Sequence, residues 1–171
     1  MESLGIDLIN RFNKEHGSNP DKWDWHHISR FNYLPEAFIR EFKDKVDWCD
    51  ISYSQKLSED FIRKFKDKVD WIYISWKQKL SEDFIREFKD KVDWRYISYS
   101  QKLSEGFVNE FKDKINFKGL LQNKYCPIDI KTEYIRKNVT KEDSSRHSIE
   151  QIKEEEKKDN SLEELKKLVG V

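Results

Sequence analysis

Trp25, Trp48, Trp71, Trp94 and Phe117 stand 23 residues apart, four steps in succession with no drift. An aromatic ladder of fixed step means one small unit copied in tandem, each copy packed on the next. The same step carries Leu34, Leu57, Leu80 and Leu103, then Phe38, Phe61, Phe84 and Phe107, then Phe42, Phe65, Phe88 and Phe111. Val46, Val69, Val92 and Ile115 follow it, as do Ile28, Ile51, Ile74 and Ile97. One unit reads LSEDFIRKFKDKVDWIYISWKQK, from Leu57 to Lys79. Leu8, Ile9 and Phe12 mimic the FIREF segment, and extra residues around Gly17 and Pro20 delay Trp25, so residues 1–22 read as a degenerate leading copy. The last copy decays after Phe117 into KGLLQNKY. Such atypical ends are expected of capping units.

Inside a unit the apolar spacing is helical. Phe61, Ile62, Phe65 and Val69 fall on one stripe of an α-helix. Ser58 stands where an N-cap belongs, and Glu59 and Asp60 place negative charge in the first turn. Lys66 and Lys68 put the opposite sign at the far end. Asp70 offers a second N-cap, with Trp71 and Ile74 on one face of a shorter helix. WIYISW has high β propensity, but Trp71 and Ile74 would point to opposite faces of a strand. A leucine-rich repeat would need its LxxLxLxxN pattern, which does not occur. One copy buries too little apolar surface to offset the entropy of ordering its chain, so the copies must bury one another. The expected fold is all-α: a curved, right-handed α-solenoid of about five short helix pairs with a charged C-terminal tail.

The domain reading follows. Residues 1–22 cap the N-terminal end, 23–120 form the solenoid, 121–142 form a C-terminal cap, and 143–171 form a charged tail. Pro127 breaks any helix arriving from before it. Asp143–Asn160 is highly charged and poor in aromatics, the composition of a solvated stretch. Beyond it, Ser161 and Glu164 make a capping-box pair ahead of Leu162, Leu165, Leu168 and Val169. That short stripe reads as a frayed end, a helix docked on the solenoid, or a helix that orders on a partner.

LSEDFIREFKDKVDW, followed by IS two residues later and by QKLSEDF, resembles a short tandem repeat of giant-virus (mimivirus-like) and mobile-element proteins. The matching segments are Leu57–Ser75 and Leu80–Ser98, with looser copies from Leu34 and Leu103, roughly residues 23–118. A single alanine, Ala37, and abundant Lys, Ile, Phe, Tyr and Asp fit an AT-rich source. The resemblance implies a repeat scaffold and a viral or mobile-element origin. It also implies a protein that blocks a host component by occupying its surface, without catalysis.

Composition narrows the function classes. The chain of 171 residues carries 33 basic and 33 acidic residues, whereas a non-specific nucleic-acid binder usually has a basic excess. Cys49 and Cys126 are far apart and unpatterned, as expected in a reducing compartment. MESLGIDLIN has neither a basic n-region nor a long apolar run, and no stretch suits a bilayer. A cytoplasmic location is therefore expected, with the sequon Asn138-Val139-Thr140 unmodified.

Positions that change between copies are released from packing and can carry function. They cluster just after the tryptophan. One column holds His26, Cys49, Ile72 and Arg95; the next holds His27, Asp50, Tyr73 and Tyr96; the third holds Arg30, Tyr53, Trp76 and Tyr99. The first and third columns are one helical turn apart and share a face. Tyr53, Ile72, Tyr73, Trp76, Arg95, Tyr96 and Tyr99 are thus the candidate partner-binding residues, rich in the types found at interface hot spots. The competing reading packs these rings between adjacent helices. Glu59-Asp60 and Glu82-Asp83 begin their helices, while Lys66-Lys68, Lys89-Lys91 and Lys112-Lys114 end theirs. Stacking is expected to gather them into an acidic edge and a basic edge. Dipole complementation and solubility account for that pattern; a lysine ridge tracking phosphates beside aromatic platforms is the alternative.

No catalytic or cofactor motif is present. GxGxxG and GxxxxGKS are missing, and the chain has five glycines. Asp67 and Asp70 recur from copy to copy, which marks them as scaffold. His26, His27, Cys49 and Asp50 could approach one another in a stack, but adjacent histidines do not easily face one ion and no CxxC or HxxxH spacing supports a zinc set. The expectation is a non-catalytic protein with no cofactor and no metal.

Overall fold

The computed structural model describes residues 2–139. The helices are α1 (Glu2–His16), α2 (Trp25–Phe31), α3 (Glu36–Glu41), α4 (Trp48–Ser54), α5 (Glu59–Lys64), α6 (Trp71–Lys77), α7 (Glu82–Glu87), α8 (Trp94–Ser100), α9 (Glu105–Glu110), α10 (Phe117–Gln122) and α11 (Ile128–Val139). No strand occurs among the described residues. The tail reading, with its Ser161–Glu164 cap and leucine stripe, lies outside them.

Caps set where the short helices begin. Ser58, Ser81 and Ser104 accept hydrogen bonds from the amides of Phe61, Phe84 and Phe107. Asp70 accepts from the Ile72 and Tyr73 amides at 2.9 and 3.2 Å, and Asp47 and Asp93 do the same in their copies. The first helix of each pair is shorter than the stripe implies. α5 stops at Lys64; Phe65 leaves helical geometry at φ −112°, ψ 26°, and the Lys68 and Val69 amides both turn back to its carbonyl. The Trp71 indole N–H fixes this turn by donating to the Lys66 carbonyl at 2.9 Å, a bond repeated from Trp48 to Lys43 and from Trp94 to Lys89. Val69 is still buried, but from the turn rather than from the helix.

The second helices form the continuous row: α2 lies against α4, α4 against α6, α6 against α8, and α8 against α10. Phe38, Phe61, Phe84 and Phe107 are fully buried beneath them, as are Ile28, Ile51, Ile74 and Ile97. Each tryptophan packs on the phenylalanines of the following copy. Trp48, Trp71 and Trp94 lie 5.0, 4.9 and 5.0 Å from Phe65, Phe88 and Phe111. At the leading end Phe12 of α1 fills the equivalent place, edge-on to Phe38 at 5.7 Å and to the buried Trp23 at 5.6 Å.

Apolar packing is only half of the joint. Gln55, Gln78 and Gln101 are buried, and each clamps the copy before it. The Gln78 amide donates to the Ser52 and Gln55 carbonyls at 3.0 and 2.8 Å, and its oxygen accepts the Leu57 N–H at 3.0 Å. Gln55 and Gln101 repeat the pattern, and Asn123 supplies the last pair of donors, to the Ser98 and Gln101 carbonyls. Ser29, Ser52, Ser75 and Ser98 add a second rung, each accepting the backbone N–H of the residue that caps the next copy's second helix. A third rung joins Glu36, Glu59 and Glu82 to the N–H groups of Ser58, Ser81 and Ser104. Pro35 occupies the serine place in the first such copy and has no N–H to satisfy there.

The chain divides into two units after Tyr125. Helix α11 belongs to the second; it starts after Pro127, whose carbonyl accepts the Lys131 N–H.

Replacing Gln78 with leucine keeps the bulk and orphans three buried backbone groups. Each such group costs about 1–3 kcal/mol, so urea denaturation should show a loss of about 3 kcal/mol or more. Lys68→Ala, which removes an exposed ion pair to Asp44, should leave the urea midpoint almost unmoved, because water and salt screen such a pair.

Candidate interaction surface

The aspartate caps aim the variable columns outward. With Asp70 holding the first turn of α6, the buried Ile74 and Ser75 fix its inner face, which leaves Ile72, Tyr73 and Trp76 on the outer one. Tyr53, Ile72, Arg95 and Tyr99 are exposed; Tyr73, Trp76 and Tyr96 are half-buried. All seven candidate residues therefore reach solvent.

Four of them, Tyr53, Tyr73, Trp76 and Tyr96, touch one another, and Arg95 lies over Tyr96; Ile72 and Tyr99 stand outside these ring contacts. Tyr53 meets Tyr73 edge-on at 5.2 Å and Trp76 at 6.1 Å. Trp76 stacks on Tyr96 at 5.5 Å with 23° between the planes, and on Tyr73 at 6.5 Å. The four rings form one continuous row. Cations sit on it: Lys77 Nζ lies 3.9 Å over the Trp76 ring and 4.5 Å over Tyr53, and the Arg95 guanidinium lies 4.7 Å over Tyr96. Exposed contacts of this kind contribute about 0.5–1 kcal/mol each. Lys77 belongs to the row although it is absent from the columns read in the sequence. Ring packing and surface exposure, alternatives in the sequence, coexist.

The leading end of the row is polar. His26, Asp47 and Asp50 each bring one ligand atom within 4.8 Å of the others, the geometry of a three-point cation site. His26 and Asp50 come from the set considered for zinc. Asp47, a helix cap, was not in that set, and His27 turns instead to Phe31 at 4.9 Å. Asp50 is buried. Its Oδ2 lies 2.6 Å from His26 Nδ1, yet that oxygen is buried with no hydrogen-bond donor. The Arg30 guanidinium stands 3.7 Å from its Oδ1 and supplies positive charge that an ion would have to compete with.

The charged edges interlock instead of separating. Lys68, Lys91 and Lys114 pair with Asp44, Asp67 and Asp90 of the preceding copies at 3.0, 3.2 and 3.9 Å, and Lys45 pairs with Asp21. Arg63 and Arg86 reach Glu87 and Glu110 of the following copies at 2.7 and 2.9 Å. The cause is the turn after each first helix, which lays its last lysine over an aspartate of the copy before. The Lys68 ammonium accordingly holds the Asp44 carboxyl below its ordinary range.

Cys49 sits beside this polar end, and its thiol is pushed above its ordinary value, by desolvation first and then by Asp70, Asp47 and Asp50. The thiolate is the reactive form. Alkylation of Cys49 by iodoacetamide should therefore be slower at pH 7 than that of a short-peptide thiol, with a rate midpoint at higher pH. Comparison with known protein families, curated proteins and solved structures gives no match to this chain.

Proposed function

We propose that the chain is a non-catalytic protein-interaction module whose aromatic face, formed by Tyr53, Ile72, Tyr73, Trp76, Arg95, Tyr96 and Tyr99, lies against one protein partner. The observation that carries this reading is the row of stacked, solvent-reaching rings on positions that the repeat does not need for packing. Tyrosine, tryptophan and arginine are the side chains most enriched at interface hot spots. The resemblance of the repeat to giant-virus and mobile-element proteins extends the proposal: the partner is a host protein, met in the cytoplasm and blocked by occupation of its surface. Among the described residues no helix is long and apolar enough to cross a membrane.

The nucleic-acid alternative has rings to offer as stacking platforms, but its lysine row alternates with Asp44, Asp67 and Asp90. That alternation weakens an electrostatic track for phosphates.

The double variant Tyr73→Ala/Trp76→Ala separates the readings. Two hot-spot losses of about 2 kcal/mol each weaken binding far more than tenfold. Affinity capture from host extract, read by mass spectrometry, should lose the wild-type partner while urea denaturation still reports a cooperative fold. Retention of the same partner by the variant overturns the proposal. So does tight, steeply salt-dependent binding of single-stranded oligonucleotide with no protein captured.

A further inference from the structure

Along the face, the third-column residue of each copy meets the second-column residue of the next, and the pairs match in kind. Arg30 meets Asp50 at 3.7 Å, an ion pair. Tyr53 meets Tyr73 at 5.2 Å, and Trp76 meets Tyr96 at 5.5 Å, both ring pairs. The fourth pair breaks the rule: Tyr99 is met by Gly119. The position is equivalent, since a Cβ built on Gly119 would lie 3.7 Å from the Tyr99 Cβ. The backbone does not call for glycine. Gly119 sits inside α10 without a positive φ, and the nearest atoms to an added Cβ, Asn116 Oδ1 and the Arg95 carbonyl oxygen, stand at 3.4 and 3.5 Å.

The missing ring leaves an open notch of about 330 Å³ lined chiefly by Arg95, Tyr96, Tyr99, Lys118 and Gln122. That is near the lower end of ligand-pocket volumes, roughly 300–1,000 Å³. Tyr99 is exposed at 46%, against 38% for Tyr53 and a half-buried Trp76, the two counterparts whose ring pairs are complete. No carboxylate lines the notch. Its two cations are Arg95, which also pairs with Asp93 at 3.6 Å, and the exposed Lys118.

We propose that this notch anchors the partner by receiving one aromatic side chain, a tyrosine above others, from an acidic segment of a protein. The incoming ring completes the pair with Tyr99 that Tyr73 and Tyr96 complete in the copies before. Carboxylates beside it meet Arg95 and Lys118. The proposal rests on the reading of the face as protein-binding and names the chemistry that the face selects.

The test uses the full chain, labelled with nitrogen-15, and a five-residue peptide with a central tyrosine between glutamates. Titration should shift the backbone amides of Tyr99 and Gly119. An alanine-centred peptide, and a lysine-flanked tyrosine peptide, should each bind at least tenfold more weakly. Gly119→Tyr supplies the ring from within; it should keep the fold and lose the peptide at least tenfold. If that variant fails to fold, Tyr99→Ala, an exposed truncation, reads the same loss. Equal binding of the tyrosine and alanine peptides overturns the proposal, as does unchanged peptide affinity in the folded Gly119→Tyr or Tyr99→Ala protein. Shifts produced by oligothymidine but not by the peptide overturn it too. If the peptide fails while Tyr73→Ala/Trp76→Ala still abolishes partner capture, the face is protein-binding with its anchor elsewhere.

Discussion

A buried glutamine with three backbone partners holds each copy against the one before. The joint needs it because helices of six and seven residues leave most of their end groups, and all of their connections, without intrahelical partners. Water cannot reach these groups once the phenylalanines and isoleucines close over them. Gln55, Gln78 and Gln101 satisfy two carbonyls and one N–H apiece across the joint. The serines and glutamates satisfy the amides that remain at the caps. Tryptophan–phenylalanine contacts supply attraction that is indifferent to register within an ångström or so. The glutamine bonds, with their narrow geometry, select one register. Stability in such an array is a sum of nearest-neighbour terms, so a fault in one clamp is felt at a single joint.

The two ends show what the clamp requires. At the leading end, α1 and Trp23 substitute for a preceding copy by covering Phe38 with Phe12. Pro35 removes a donor that no earlier glutamate would meet. At the trailing end of the first unit Asn123 provides two donors, to the Ser98 and Gln101 carbonyls, with a shorter side chain placed one residue earlier than the glutamine column. Leu121 stands where the serine column would continue.

Much of this was legible in the chain. The period, the helix pairs and the capping roles of Ser58 and Asp70 follow from apolar spacing and from side-chain chemistry that acts within four residues. What escaped acts between copies. Ser75 is as invariant along the chain as Trp71, and Gln78 recurs in three copies with Asn32 in the first, but constant polar residues resemble loop composition to a reading that looks for apolar columns. Their constancy was the available signal. The Lys68–Asp44 pairing spans 24 residues and depends on the turn at Phe65, so a charge pattern read along one helix assigns the two signs to separate edges. The positions of the candidate surface were visible as variable columns; the pairing of one column with the next copy's neighbour was not, because it needs the stacking distance.

That pairing explains how the surface can vary while the scaffold does not. Each third-column residue except Tyr99 leans on the second-column residue of the next copy, so an ion pair in one place and ring pairs in two others fit the same backbone. A row of rings held this way is also pre-ordered. Stacked, half-buried aromatics have already given up most of their rotamer freedom, and association costs them less than it costs flexible side chains. Lys77 and Arg95, lying over the rings, keep a cationic rim on a surface that would otherwise be a bare apolar strip open to self-association. On the proposed reading, that rim leaves the ring edges to an anionic partner. Selectivity of this kind is set by what the face repels as much as by what it attracts.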